Sequence, residues 1–136
     1  MPLPGGRIYE TPHWLVEHCV GPLGVGTLIV KPKRHVVHVW ELTDDEATEL
    51  GPLLRETSRV AAELVSPEQV YVCLWSHGPA HIHFVVQPVM RTQMEELEAH
   101  GPQLQVEMFD RNEMPPKPEV EAIALCVRER LEGVRT

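Results

Sequence analysis

Two imidazoles stand two residues apart in the stretch Ser76-His77-Gly78-Pro79-Ala80-His81-Ile82-His83-Phe84-Val85-Val86-Gln87-Pro88. From His81 to Gln87 polar and apolar residues nearly alternate, which is the period of a half-buried strand. Side chains two apart on a strand share a face and sit about 7 Å apart. His81, His83, Val85 and Gln87 therefore fall on one face, and Ile82, Phe84 and Val86 on the other. Neutral imidazole is abundant near its ordinary pKa of about 6.5 and attacks without first losing a proton. A carbonyl bonded to one ring nitrogen would fix the tautomer and free the other nitrogen. His-x-His on a strand is also a chelating geometry of the kind zinc enzymes use. Its further ligands would have to be His77, His35 or His38, because no Asp or Glu stands at ligand spacing on that strand. That reading ranks last.

The elements that must hold these side chains can be read on both sides. Arg7 to Glu10 and His13 to Cys19 read as short strands parted by Thr11-Pro12, behind a Pro/Gly-rich tail. Gly21-Pro22-Leu23-Gly24 is a turn, and Gly26 to Lys31 is a third strand ended by Pro32. Thr43 with Glu46 three residues on forms a capping box, so a helix begins there, with Leu50, Leu53, Leu54, Ala61 and Leu64 as its buried stripe. Gly51-Pro52 should kink or divide it. Gln69 to Trp75 is the next strand and pairs with Ala80 to Gln87. Thr92 to Glu98 reads as helical, the pattern of Gly101 to Asp110 is ambiguous, and Pro115, Pro116 and Pro118 mark a linker. A last helix, Glu119 to Glu132, carries Val120, Ile123, Ala124, Val127 and Leu131 at helical spacing. Strands, helix, hairpin, then helices make an α+β domain with an antiparallel sheet.

At 136 residues and 15.4 kDa the chain is one domain, 1–136, large enough for a real core. The apolar run Ala122 to Val127 is far too short to cross a bilayer, and no signal peptide is visible at the start. Cys19, Cys73 and Cys126 are scattered without a Cys-x-x-Cys pair, which fits reduced thiols in a cytoplasm. A formal net charge of -8 argues against nucleic acid polymers and anionic membranes as partners. A small phosphorylated ligand is still compatible, because local fields decide that, and Lys31, Lys33 and Arg34 cluster at the end of a strand.

The stretch around His81 resembles a divergent copy of the motif of the histidine triad (HIT) superfamily, His-φ-His-φ-His-φ-φ with φ apolar, often followed by Pro. His81 and His83 match the first two histidines and Pro88 the trailing proline, but Val85 stands at the third. Gly26-Thr27-Leu28-Ile29-Val30-Lys31-Pro32-Lys33-Arg34-His35, followed by Leu42-Thr43-Asp44-Asp45-Glu46, resembles the strand, turn and helix start that precede the triad in this family. The resemblance covers about residues 7–88, the core of the expected domain. Residues 89–136 form a C-terminal helical extension beyond it.

The resemblance implies a hydrolase or nucleotidyl transferase acting at the α-phosphate of a nucleotide conjugate, a phosphoramidate or a dinucleoside polyphosphate. His83 would be the nucleophile and carry the nucleotidyl-histidine intermediate, with His81 orienting it. Neither a metal nor a cofactor is implied, since histidines and backbone donors take up the charge. Thr27 stands where the family often has another histidine, and Ser76 where it tends to have Asn. Gly78 keeps the turn of a loop that is several residues shorter and lacks Gln-Ser/Thr, with His77 beside it as partial compensation. Gln87 continues the triad face and could reach a phosphate oxygen. Because of these departures the alternative is a nucleotide-binding protein of the same fold with weak or no turnover. The resemblance also implies a homodimer, which suits a sheet with too few strands to cover its own edges.

Overall fold

The computed structural model describes residues 5–135. Positions 1–4 of the expected N-terminal tail lie outside the described residues. Five strands form one antiparallel sheet: β1 (Arg7–Glu10), β2 (Trp14–His18), β3 (Leu28–Pro32), β4 (Gln69–Cys73) and β5 (Phe84–Val89). Their order across the sheet is β1-β2-β3-β5-β4, so the chain leaves β3 for a long helix and returns to the far edge before filling the gap. That helix is α1 (Asp44–Val65); three more follow the sheet, α2 (Arg91–Leu97), α3 (Pro102–Arg111) and α4 (Lys117–Arg135).

The capping box at the start of α1 is present. Thr43 Oγ1 accepts from the Glu46 amide at 3.1 Å, and Glu46 Oε1 accepts from the Thr43 amide at 2.8 Å. The helix runs through Gly51-Pro52 undivided, so of the two expected outcomes, a kink or a division, division does not occur. Pro52 lies on the solvent side, so its missing N–H costs one ladder bond while Leu53, Val60 and Ala61 hold the opposite face in the core. Ser66 closes the helix in the left-handed region at φ 48°, its amide bonded to the Ala62 carbonyl.

The two faces of the sheet are packed by different helices. On one, Trp14, Val16, Leu28, Val30 and Val86 meet Leu53 and Val60 of α1 and Ala124, Val127 and Leu131 of α4. Trp14 is fully buried and donates its indole N–H to the Glu46 carbonyl at 2.9 Å. The extension is therefore part of the body: its last helix packs on α1 and β1. On the other face Cys19, Leu23, Val85 and Val89 cluster with Leu104 and Met108 of α3, joined by Met94 and Leu97 of α2. The stretch of ambiguous pattern, Gly101 to Asp110, is thus a helix whose apolar side closes one half of this face.

The ladder of β5 begins later than the alternation implies. Ala80 to His83 precede it outside the ladder, anchored by the Ile82 amide on the Val36 carbonyl at 2.9 Å. Register is retained within the ladder: Leu28 opposes Val86, Ile29 opposes Val85 and Val30 opposes Phe84.

Candidate functional site

His81 and His83 emerge from that segment on the side of the sheet away from α1. His81 Nε2 donates to the Pro32 carbonyl at 2.9 Å, since a carbonyl only accepts, which ties the segment to the end of β3. Burial first, and then the charges of the neighbouring His35 and Lys31, push the His81 pKa below its ordinary value. Its ring and that of His35 meet in a T-shaped arrangement with centroids 5.1 Å apart. His83 Nδ1 lies 3.4 Å from the His81 carbonyl, a long contact. As a hydrogen bond it puts the proton on Nδ1 and leaves the lone pair on Nε2.

Both rings line a cavity of about 410 Å³ with Glu17, His18, Cys19 and Val20 from β2 and the chain after it, and Ile29 and Lys31 from β3. Lys31 Nζ pairs with Glu17 Oε1 at 2.6 Å across the two strands. The other two cations of the turn look elsewhere: Lys33 pairs with Glu10 at 3.0 Å, and Arg34 grips both oxygens of Glu46 at 2.8 and 3.2 Å. His18 is 1% exposed and fully bonded, donating from Nδ1 to the Cys19 carbonyl at 2.8 Å and accepting the Gly26 amide on Nε2 at 2.9 Å. Burial lowers its pKa, and both bonds require the neutral ring. Gly26 meets that ring at φ +94°, a conformation that disfavours a side chain, and a Cβ there would crowd Val65 at 3.3 Å.

The remaining sequence candidates are placed apart from His83. Gln87 is fully buried: it accepts from Gln105 Nε2 of α3 at 3.0 Å and donates to the Leu23 carbonyl at 3.4 Å. Thr27 is equally buried, and its hydroxyl donates to the same Leu23 carbonyl at 3.0 Å. Together they brace the turn between β2 and β3, where the sequence reading had them facing substrate. Ser76, His77 and Gly78 border a second cavity of about 260 Å³ with Val37, Trp40, Leu74 and Ile82. Ile82 points away from its histidine neighbours, which separates that cavity from the first. Val85 shares the His83 face but is 8% exposed, packed in the cluster with Leu104 and Met108.

Sequence reasoning missed Glu17, His18 and Cys19 as cavity residues. A signal existed: Glu17 and His18 interrupt the otherwise apolar run from Trp14 to Val20, and in the structure β2 is buried at every position. Polar residues in such a strand need dedicated partners. Among the described residues no group of three or more His, Cys, Asp or Glu side chains is placed to hold a metal ion.

No protein-family model and no curated protein matches this chain. Solved structures do. A hypothetical histidine triad nucleotide-binding protein from Sulfolobus tokodaii superposes with a TM-score of 0.69 at 18% identity, over 95% of this chain and 85% of that one. A Hit-like protein involved in cell-cycle regulation from Bartonella henselae, solved with an unknown ligand, gives 0.68 at 15% identity over 91% and 85%. A zinc-bound histidine triad family protein from Mycobacterium smegmatis gives 0.67 at 18% over 98% and 89%. The chain has the histidine triad fold. Coverage above nine-tenths means that the likeness takes in residues beyond the triad strand, including part of the extension after residue 88. Within this fold, His81 and His83 come together at the head of β5, and Val85 lies beneath α3.

Proposed function

We propose that this chain is a nucleotide-binding histidine triad protein that acts at the α-phosphate of a nucleotide conjugate, with His83 as nucleophile. The observation that carries the reading is the setting of His83: its Nδ1 faces the His81 carbonyl at 3.4 Å, and its ring lines a cavity of about 410 Å³. The description of the Sulfolobus tokodaii protein as nucleotide-binding supports the ligand class. In the first step Nε2 attacks phosphorus, the Nε2–P bond forms, and the P–N or P–O bond to the leaving group breaks. The leaving group departs with the electron pair and takes a proton from water. A second water then cleaves the Nε2–P bond, releasing the nucleoside monophosphate and regenerating neutral His83. His81 is a positioning residue, since its own side chain is bonded to Pro32 while its carbonyl orients His83.

A second reading is favoured by one observation. Val85 neither donates nor accepts, and α3 covers it, so the site has no third imidazole to assist departure of the leaving group. On that reading the protein binds nucleotides and turns them over slowly.

The protein acts as a homodimer through the open edge of β4, with a sheet continuous across the pair. Val72 is 45% and Trp75 60% exposed beside that edge, and Trp40 borders the cavity that includes Leu74. Three free cysteines suit a reducing cytoplasm. Mass spectrometry after incubation with nucleoside phosphoramidates and dinucleoside polyphosphates tests the chemistry. Turnover with a nucleotidyl adduct on His83 is expected, and both vanish in His83→Ala. A wild-type rate in that variant refutes the covalent route. Light scattering that shows only a 15.4 kDa species at micromolar concentration refutes the dimer.

A further inference from the structure

Lys31 is the cavity residue to which nucleophilic attack by His83 assigns no task. Carried one step beyond the ladder, the β3–β5 register places Lys31 opposite His83 on the same face. Lys31, His81 and His83 line the same cavity, and the Lys31 charge contributes to lowering the His81 pKa. A Glu17 side chain only 7% exposed holds the Nζ at 2.6 Å, while Lys31 itself remains 34% exposed and lines the cavity. An ammonium has three donors, and this contact with Glu17 uses one. A carboxylate so deep requires its cation, so the pair fixes a head group that a four-carbon stem would otherwise leave mobile. Lys33 and Arg34 are committed to Glu10 and Glu46 and do not line this cavity. With Val85 closed under α3, the fixed positive charge of the site comes from β3 rather than from β5.

We propose that Lys31 is a catalytic residue, its ammonium bonding an ionised non-bridging oxygen of the phosphoryl group that His83 attacks, and that Glu17 is the residue positioning it. This rests on the nucleotide reading above and deepens it. The site selects phosphoryl groups that keep such an oxygen. Lys31 retains its proton throughout: the Nε2–P bond forms, the bond to the leaving group breaks with its electron pair, and the ammonium offsets charge on the oxygens that stay.

The test compares wild type, Lys31→Arg, Lys31→Met, Glu17→Gln and the double variant Glu17→Gln/Lys31→Met on a nucleoside phosphoramidate. Lys31→Met alone strands the Glu17 carboxylate and endangers the fold, whereas the double variant removes both charges together. The expected result is a kcat lower by about a hundredfold in the folded double variant, the effect of losing one donor to a developing oxyanion. Lys31→Arg recovers most of it, and Glu17→Gln loses less kcat while raising KM. A purely structural role would move the melting temperature and leave kcat per folded molecule unchanged. A folded double variant at the wild-type kcat overturns the proposal. Inorganic phosphate titrated against the His83 ring resonances separates this inference from the nucleotide reading. If wild type is inert to every nucleotide yet binds phosphate only when Lys31 is present, the nucleotide reading falls and the anion site stands. Phosphate bound equally without Lys31 overturns the anion site.

Discussion

Val85→His would place an imidazole at the third position of the motif that the sequence resembles, and on that resemblance alone it would be expected to raise turnover. The packing around Val85 gives the opposite expectation. Val85 is 8% exposed in a cluster with Leu104 and Met108, and Gln87, two residues on, is bonded to Gln105 of the same helix. A histidine is larger than valine, and forcing extra volume into a packed cluster costs about 1 to 3 kcal/mol. A ring nitrogen without a partner there adds about 1 to 3 kcal/mol. The total, about 2 to 6 kcal/mol, is a large share of the 5 to 15 kcal/mol or so that holds a domain of this kind. At roughly 3 °C per kcal/mol for this chain length, melting should fall by about 6 to 18 °C. Urea unfolding and phosphoramidate turnover, measured on the same preparation, check it, with kcat expected not to rise. Val85→His combined with Leu104→Ala opens space beside the ring and should recover part of the stability. A Val85→His protein as stable as wild type, with higher kcat at unchanged nucleotide affinity, would refute the claim that α3 closes the third position.

Other expectations follow from single side chains. His18 is neutral in the fold with its pKa lowered, so its contribution is full above the unfolded value of about 6.5 and is lost as pH falls below it. His18→Gln should flatten the stability profile between pH 7 and 5 in urea titrations. Glu46 is held down to about 2, chiefly by hydrogen bonds from Arg34, so its contribution is present above its ordinary value of 4.5 and is lost as pH falls toward 2. Arg34→Met, which removes the two bonds to that carboxylate, should lower stability at pH 7 and lower it less at pH 3, by chemical denaturation. Truncation after Pro116 removes Val120, Val127 and Leu131 from the core, each contributing about 1.5 to 3 kcal/mol before ordering entropy is set against it. A melting curve unchanged by that truncation would mean that α4 does not hold the body together.

What the sequence makes legible, and what it hides, divides along one physical line. Alternation reports which face a side chain takes, and it was right about His83, Val85 and Gln87 sharing one. It does not report how deep that face lies, because depth depends on which distant element covers it. Along this one face the cover changes: His83 is half-buried at a cavity, Val85 is under Leu104, and Gln87 is sealed by Gln105. The element responsible, α3, falls in the stretch of ambiguous pattern, Gly101 to Asp110, and its buried residues include a glutamine. A polar residue at a core position blurs the helical period, and only its partners, Gln87 and the indole of Trp75, explain it. The same logic applies to Lys31. In the sequence it is one of three clustered cations at the end of a strand, with nothing to single it out; what distinguishes it is a glutamate fourteen positions earlier, brought alongside by a hairpin register that pairs Leu15 with Lys31. The capping box of α1 was legible because both of its partners lie within four residues of each other. A site is hardest to read where its chemistry is completed by pairs that the sheet, rather than the sequence, makes into neighbours.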